Sequence, residues 1–154
     1  MFSHLHLHSE YSLLDATIRL PELVEKLQQT GMEACALTDP GSMYGILKFK
    51  NAMKEAGLKP ILGCEINIAP RDMSKKEYGI DNKYFHLVLL AKNLKGYRNL
   101  VKIVSLGHME GFYYKPRIDF ETLSKYSEGL IALSACLAGP VSRPILDGDD
   151  KLAL

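Results

Sequence analysis

The sequence predicts an α/β fold with mainly parallel strands, and three observations carry that expectation. Short apolar runs alternate along the chain with stretches whose apolar residues recur at helical spacing. The runs are apolar throughout, not polar at every second position, which suits a sheet covered on both faces. Strand–helix alternation in turn implies right-handed crossovers between parallel neighbours. At 154 residues the chain has the size of one domain, expected over 1–154. An eight-stranded barrel needs about 250 residues, so four or five strands make an open sheet or part of a barrel. The chain is expected to stop in mid-fold.

Each element has its own signal. Phe2–Ser9 alternates with period two, so as a strand it places His4, His6 and His8 on one face and Leu5 and Leu7 on the other. Leu20, Leu23, Val24 and Leu27 follow at helical spacing, with Pro21 suited to the first turn and Gly31 to the C-terminal cap. Ala34–Thr38 reads as a buried strand that ends at the turn formers Asp39-Pro40-Gly41-Ser42. Ile46, Phe49, Met53 and Ala56 mark a second helix, stopped by Gly57, and Lys59–Ile68 a third strand. Pro70–Lys83 is polar and reads as an exposed loop. Tyr84–Ala91 is a strongly apolar strand, followed by a helix over Leu94–Met109, a short helix over Phe120–Tyr126 and a last strand over Leu130–Ser134. Asp147–Leu154 looks like the start of another helix.

Composition excludes several classes. The chain is 47% hydrophobic and 24% charged with net charge +1, so nothing global argues for a polyanion partner or a membrane surface. No apolar run approaches the ~20 residues that span a bilayer. Cys35, Cys64 and Cys136 are an odd, widely spaced set, which suits a reducing cytoplasm better than a disulfide framework. There is no Gly-rich phosphate loop, no Gly-x-Ser-x-Gly elbow and no Cys-x-x-Cys pair.

The chemistry-bearing residues gather where strands give way to loops, as parallel α/β folds require. His6 and His8 close the first strand, Asp15 lies in the loop after it, and Asp39 follows the second. Glu65 sits within the third, and Cys136 lies just past the last. Histidines, carboxylates and a thiol are the palette of zinc or a mixed divalent cluster. Glu65 is the hardest to explain as structure, because an acid inside a buried run needs a cation or strong hydrogen bonds to stay charged. Duller readings are a histidine-rich leader for the first segment, a turn opener for Asp39 and a small buried hydrophobe for Cys136. His86 falls near the beginning of its strand, so either that strand's direction or boundary differs from the prediction, or His86 is structural. His108, at a helix end, reads as a surface residue.

A second group lies between Lys92 and Arg117, where Lys92, Lys95, Arg98, Lys102, Lys115 and Arg117 face one acid, a local charge of +5. Tyr97, Phe112, Tyr113 and Tyr114 are interleaved. Such a segment can neutralise phosphates and stack on bases, or dock onto another domain.

Taken together, His6-Leu-His8, Thr38-Asp39, Gly63-Cys-Glu65, His86 and Cys136 resemble the polymerase and histidinol phosphatase (PHP) family. Longer stretches resemble its branch in bacterial DNA polymerase III alpha subunits: His6–Asp15, Phe85–Asn93 with Gly96–Leu100, Gly111–Asp119 and Glu128–Ser134. The resemblance implies a partial, distorted (β/α)7 barrel with a divalent cluster of zinc and/or manganese or magnesium. It implies His6, His8, Asp15, Glu65, His86 and Cys136 as metal ligands, with Asp15 and Asp39 in catalytic roles. It further implies the amino-terminal part of a DNA-directed DNA polymerase, with DNA and other replicase subunits as partners and a metal-dependent phosphodiesterase or 3′–5′ exonuclease activity. The basic segment, with Lys92, Arg98, Lys102, Tyr113, Lys115 and Arg117, would then be a nucleic-acid or interdomain surface. Two departures matter: the family's Thr-Asp-His-Gly is here Thr38-Asp-Pro-Gly41, so a ligand is lost at Pro40, and the family's closing Asp and His, expected after position 154, are missing, so the cluster is expected to be depleted. An inactive scaffold and a free-standing phosphatase are the alternatives.

Overall fold

The computed structural model describes residues 2–149, and its spine is the ten-residue strand β2 (Lys59–Ile68). The other strands are β1 (Ala34–Leu37), β3 (Phe85–Ala91), β4 (Arg117–Ile118) and β5 (Leu130–Leu133). Along one edge of β2, β1 pairs in parallel with its first half and β4 with its end, at Asn67 and Ile68. On the other edge β3 runs antiparallel, and β5 runs antiparallel to β3. The sheet is therefore mixed, which corrects the expectation of mainly parallel strands. The cause is the Pro70–Lys83 connection. It has no apolar periodicity with which a crossover helix could cover the sheet, so the chain turns back beside β2.

The helices follow the apolar spacing closely: α1 (Leu20–Gln29), α2 (Ile46–Glu55), α3 (Leu94–Met109) and α4 (Phe120–Lys125). Gly31 and Gly57, with φ of +68° and +73°, end α1 and α2 in the left-handed conformation that glycine tolerates. Asn93 caps α3 by accepting from Gly96 N–H at 2.9 Å, and Asp119 caps α4 by accepting from Thr122 N–H. None of these helices is long and apolar enough to cross a membrane.

Two clusters of core lie side by side on one face of the sheet. Leu20, Leu23, Leu27, Leu37, Ile46, Phe49 and Met53 join α1 and α2 to β1. Cys64, Ile66, Ile68, Leu87 and Leu89, on the same face as Leu37 by the β1–β2 register, meet Leu100 and Ile103 of α3. Period-two alternation then sends Glu65, His86 and Val88 to the face opposite α3, where Ala36 and Leu90 also pack. The functional side chains thus share a face because β2 and β3 bury their apolar neighbours under α3. Gly96 seats α3 against the Gly129 carbonyl, which a Cβ at position 96 would approach to 1.8 Å. Gly96→Ala is expected to cost about 1–3 kcal/mol by overpacking, read as a lower midpoint in urea denaturation.

One further expectation is corrected. Phe2–Ser9 is not a regular strand. It runs extended beside β1 with a single bridge, His4 to Cys35, and Thr38 replaces the ladder. The Thr38 N–H donates to the Leu7 carbonyl at 2.9 Å, while its Oγ1 accepts from Leu7 N–H. The Pro70–Lys83 loop is exposed over most of its length, as expected, and anchored at one point: Arg71 grips Asp81 through Nε and Nη2, each at 2.8 Å, and Asp81 is fully buried. A short helix not expected from the sequence, α5 (Ser142–Leu146), is capped by Asp147 and ends at Gly148 with φ +78°; the helix expected from Asp147 onward falls largely on residues 150–154, outside the described part.

Candidate metal centre

Glu65 is the hub of the charged cluster. It is 5% exposed, and its two oxygens face different partners. Oε2 accepts from His6 Nε2 at 2.5 Å and from His8 Nε2 at 3.1 Å. Oε1 lies 3.0 Å from His86 Nδ1, and Cys136 Sγ lies 3.7 Å from that same nitrogen. His6, His8 and Glu65 bring one ligand atom each within 4.8 Å of the others. Two imidazole nitrogens and a carboxylate oxygen on one side, with a third imidazole and a thiol on the other, fit a divalent cation of borderline softness.

The antiparallel direction of β3 resolves the position of His86. Asn67 pairs with His86 and Glu65 with Val88, so the start of β3 lies beside the end of β2, at the rim where the histidine segment also arrives. His86 and Glu65 are diagonal neighbours on one face. The loop after β5 returns to this rim, with His86 N–H donating to the Ala138 carbonyl at 3.0 Å, which is what carries Cys136 close.

The backbone of Glu65 is held by the turn after β1. Gly41 N–H donates to its carbonyl at 2.7 Å, and its own N–H reaches the Thr38 and Asp39 carbonyls at 3.3 Å. Pro40 forms a parallel bridge with Glu65, so the position faces the cluster's central residue without a side-chain donor. His108 Nε2 donates to the Gly41 carbonyl at 2.7 Å. It is exposed, as expected, and also ties α3 to this turn.

Charge and burial oppose each other at Glu65. Burial would raise its pKa, but hydrogen bonds from His8 and His6 and the charge of His86 hold it down to about 2. His8 is raised, chiefly by its hydrogen bond to Glu65 and against burial, with the Glu65, Asp39 and Asp15 charges adding to the effect.

The remaining candidates fall elsewhere. Asp39 is 2% exposed and engaged: Oδ1 accepts from Ser9 N–H at 2.6 Å and from Ser12 Oγ at 2.6 Å, and Oδ2 accepts from Ser9 Oγ at 2.9 Å. Its carboxylate is spent on fixing the histidine segment, and Asp39→Asn is expected to lower unfolding free energy by about 1–3 kcal/mol, measured in urea. No sequence spacing pointed to Ser9 and Ser12, because the contact spans thirty residues. Asp15 is exposed and outside the set of close ligand atoms, although its charge reaches His8. His4 is outside the set of close ligand atoms, its ring edge-on to Phe2 with centroids 4.9 Å apart, so the three histidines do not form one ligand set.

The basic segment is divided. Arg117 is 1% exposed and donates to the carbonyls of Gly111, Asp81, Met73 and Lys75. It is a structural cross-link, which corrects its reading as a docking residue. Tyr113 packs over it, 5.2 Å from ring centre to guanidinium carbon. Lys92 sits past the far end of β3, about 20 Å along the strand from His86, and Arg98 and Lys102 are exposed on α3. Lys115 alone stays near the cluster, its Nζ 5.7 Å from the Tyr84 ring centre.

Similarity to known proteins agrees with this geometry. The PHP domain family matches residues 4–153. The chain is 48% identical over 153 residues to the DNA polymerase III subunit alpha of Treponema pallidum, covering 99% of this chain and 13% of that protein. It is 49% identical over 144 residues to that of Aquifex aeolicus, covering 90% of this chain and 12% of the other. The chain thus spans about an eighth of the length of these curated relatives. Among solved structures, an amidohydrolase from Chromobacterium violaceum matches with a TM-score of 0.49 and 20% identity, over 68% of this chain and 32% of that one.

Proposed function

The chain belongs to the PHP domain family, and from that premise we propose that it is the PHP part of a replicative DNA polymerase alpha subunit, holding divalent cations for phosphodiester hydrolysis. The observation that carries the reading is the Glu65 carboxylate, which offers one oxygen to His6 and His8 and the other to His86. In this proposal His6, His8 and Glu65 hold one ion, and Glu65, His86 and Cys136 a neighbouring one. The five-stranded sheet would be part of the distorted barrel of the family. Zinc, manganese or magnesium, when bound, supplies Lewis-acid polarisation of a phosphoryl oxygen and lowers the pKa of water.

This chain's own residues do the rest. To hold an ion, the His6 and His8 Nε2 atoms that hydrogen-bond to Glu65 would give up those protons and offer lone pairs, and Glu65 would supply the neutralising charge. Asp39, through Ser9 and Ser12, holds the histidine segment in register. Asp15, exposed beside His8, is the remaining carboxylate that could reach a substrate water. DNA as substrate, other replicase subunits as partners and a cytoplasmic location follow from the relatives and are part of the proposal.

The test uses the intact polypeptide with a 3′-labelled oligonucleotide. Release of the terminal nucleotide should need added zinc or manganese and disappear with a chelator. Pro40→His should raise the rate at least about tenfold by restoring a donor opposite Glu65. Absence of cleavage from both proteins at saturating metal would overturn the hydrolytic reading. Pro40 itself favours a second one, a scaffold without turnover. Under that reading neither protein holds stoichiometric metal, and polymerase assembly still depends on the domain.

A further inference from the structure

One ring away from His86 lies a cleft of about 670 Å³ that the metal cluster does not use. Its walls come from three places: the end of the anchored loop, with Asn82 and Lys83; the start of β3, with Tyr84 and Phe85; and the C-terminal region, with Ala138 and Arg143. Sites for small organic ligands span about 300–1,000 Å³, so a single nucleotide fits. Tyr84 stacks on the His86 imidazole at 5.7 Å with an interplanar angle of 18°, which ties the cleft physically to the candidate ligand set.

The charge of the cleft is mostly positive. Lys83 makes no ion pair among the described residues, and Lys115 brings its Nζ to the Tyr84 ring. Arg143 binds Asp147 through Nε at 2.8 Å, but the Asp147 side chain is 55% exposed. A solvent-exposed pair of that kind is worth little, so a phosphate competes with it. Two cations in the wall, Lys83 and Arg143, a third beside it, Lys115, one screened acid and an aromatic ring make the combination that holds a single nucleic-acid strand, with cations on the backbone and a ring under a base.

We propose that the Lys83–Tyr84–Arg143 cleft is the subsite for the nucleotide next to the 3′ terminal one, so that a single strand whose last phosphodiester lies over Glu65 continues into it. With Lys115 drawn off the Tyr84 ring onto the following phosphate, Tyr84 offers a base the ring face turned away from His86, and Lys83 and Arg143 meet the same phosphate. The inference rests on the hydrolytic reading for the position of that phosphodiester but not for the existence of the cleft.

Photo-crosslinking of the chelator-treated intact polypeptide tests the placement without turnover. The probe is a single-stranded oligonucleotide with 5-iodouracil next to its 3′ end. An adduct on Tyr84 or its loop supports the subsite, and adducts confined to other segments overturn it. With metal present, Tyr84→Ala should raise the oligonucleotide KM about fivefold or more, while Tyr84→Phe restores it. Lys83→Ala and Arg143→Ala should each raise KM and flatten the logarithmic salt dependence by about 0.7. Lys54→Ala, on the exposed end of α2, is the unchanged control. Unaltered KM and salt slope in all three cleft variants, with an active wild type, sinks the subsite alone. An inactive wild type that still crosslinks at Tyr84 sinks the hydrolytic reading and leaves the subsite standing.

Discussion

Glu65→Gln is expected to abolish the metal centre: bound zinc or manganese should fall to background in a metal analysis of the dialysed protein, and hydrolysis should drop at least about 100-fold. The replacement keeps the shape of the side chain and removes the charge that two sets of donors share. Loss of an outer partner already costs metal sites about 10–100-fold, and Glu65 would be a ligand to both positions. Stoichiometric metal retained by the variant would remove Glu65 from its central role. The ion-free protein offers an independent reading. Because the folded pKa of Glu65 is depressed to about 2, its contribution to stability is present above its ordinary value of about 4.5. That contribution is lost as pH falls toward 2. It amounts to on the order of 3 kcal/mol. The raised pKa of His8 works the other way, adding stability that is complete below its ordinary value and lost as pH rises through the raised one. Urea midpoints of ion-free wild type should thus fall on both sides of a mildly acidic maximum, and Glu65→Gln should flatten both limbs.

Arg117→Ala is the largest expected loss of stability, about 3–5 kcal/mol. The guanidinium is 1% exposed and donates to four carbonyls: Gly111 at 3.1 Å, Asp81 at 2.6 Å, Met73 at 3.0 Å and Lys75 at 3.1 Å. Removing it leaves several buried acceptors unpaired, each costing about 1–3 kcal/mol when nothing replaces the donor. The loss should be local first, because three of those acceptors belong to the Pro70–Lys83 loop. Amide exchange in that loop should accelerate before global unfolding does. Arg117→Lys is expected to recover only part of the stability, since a point charge cannot reproduce a planar fork. A variant within 1 kcal/mol of wild type in urea would show that the cross-link is redundant.

The two predictions concern residues that the sequence treated very differently. Glu65 stood out locally, because an acid in the apolar run Lys59–Ile68 demands a partner wherever the strand is buried. Arg117 looked like one member of a basic, aromatic-rich stretch, and nothing nearby in the chain showed that four carbonyls, three of them from a distant loop, surround it. The same contrast separates Asp39, whose serine partners lie far back in the sequence, from the caps Asn93 and Asp119, whose partners are three residues away.

The sequence by itself determined helices α1 to α4, the strands β1, β2, β3 and β5, and the chemical character of the cluster. These follow from apolar spacing, left-handed glycine stops and residue type, all of which act within a few turns of chain. Tertiary structure alone decided that β3 runs against β2, that the histidine segment is held by Thr38 and Asp39, and that His4 is outside the set of close ligand atoms. It also decided which cations sit beside His86. Those outcomes depend on how the apolar faces pack under α3 and on contacts between distant segments, and no local periodicity encodes either.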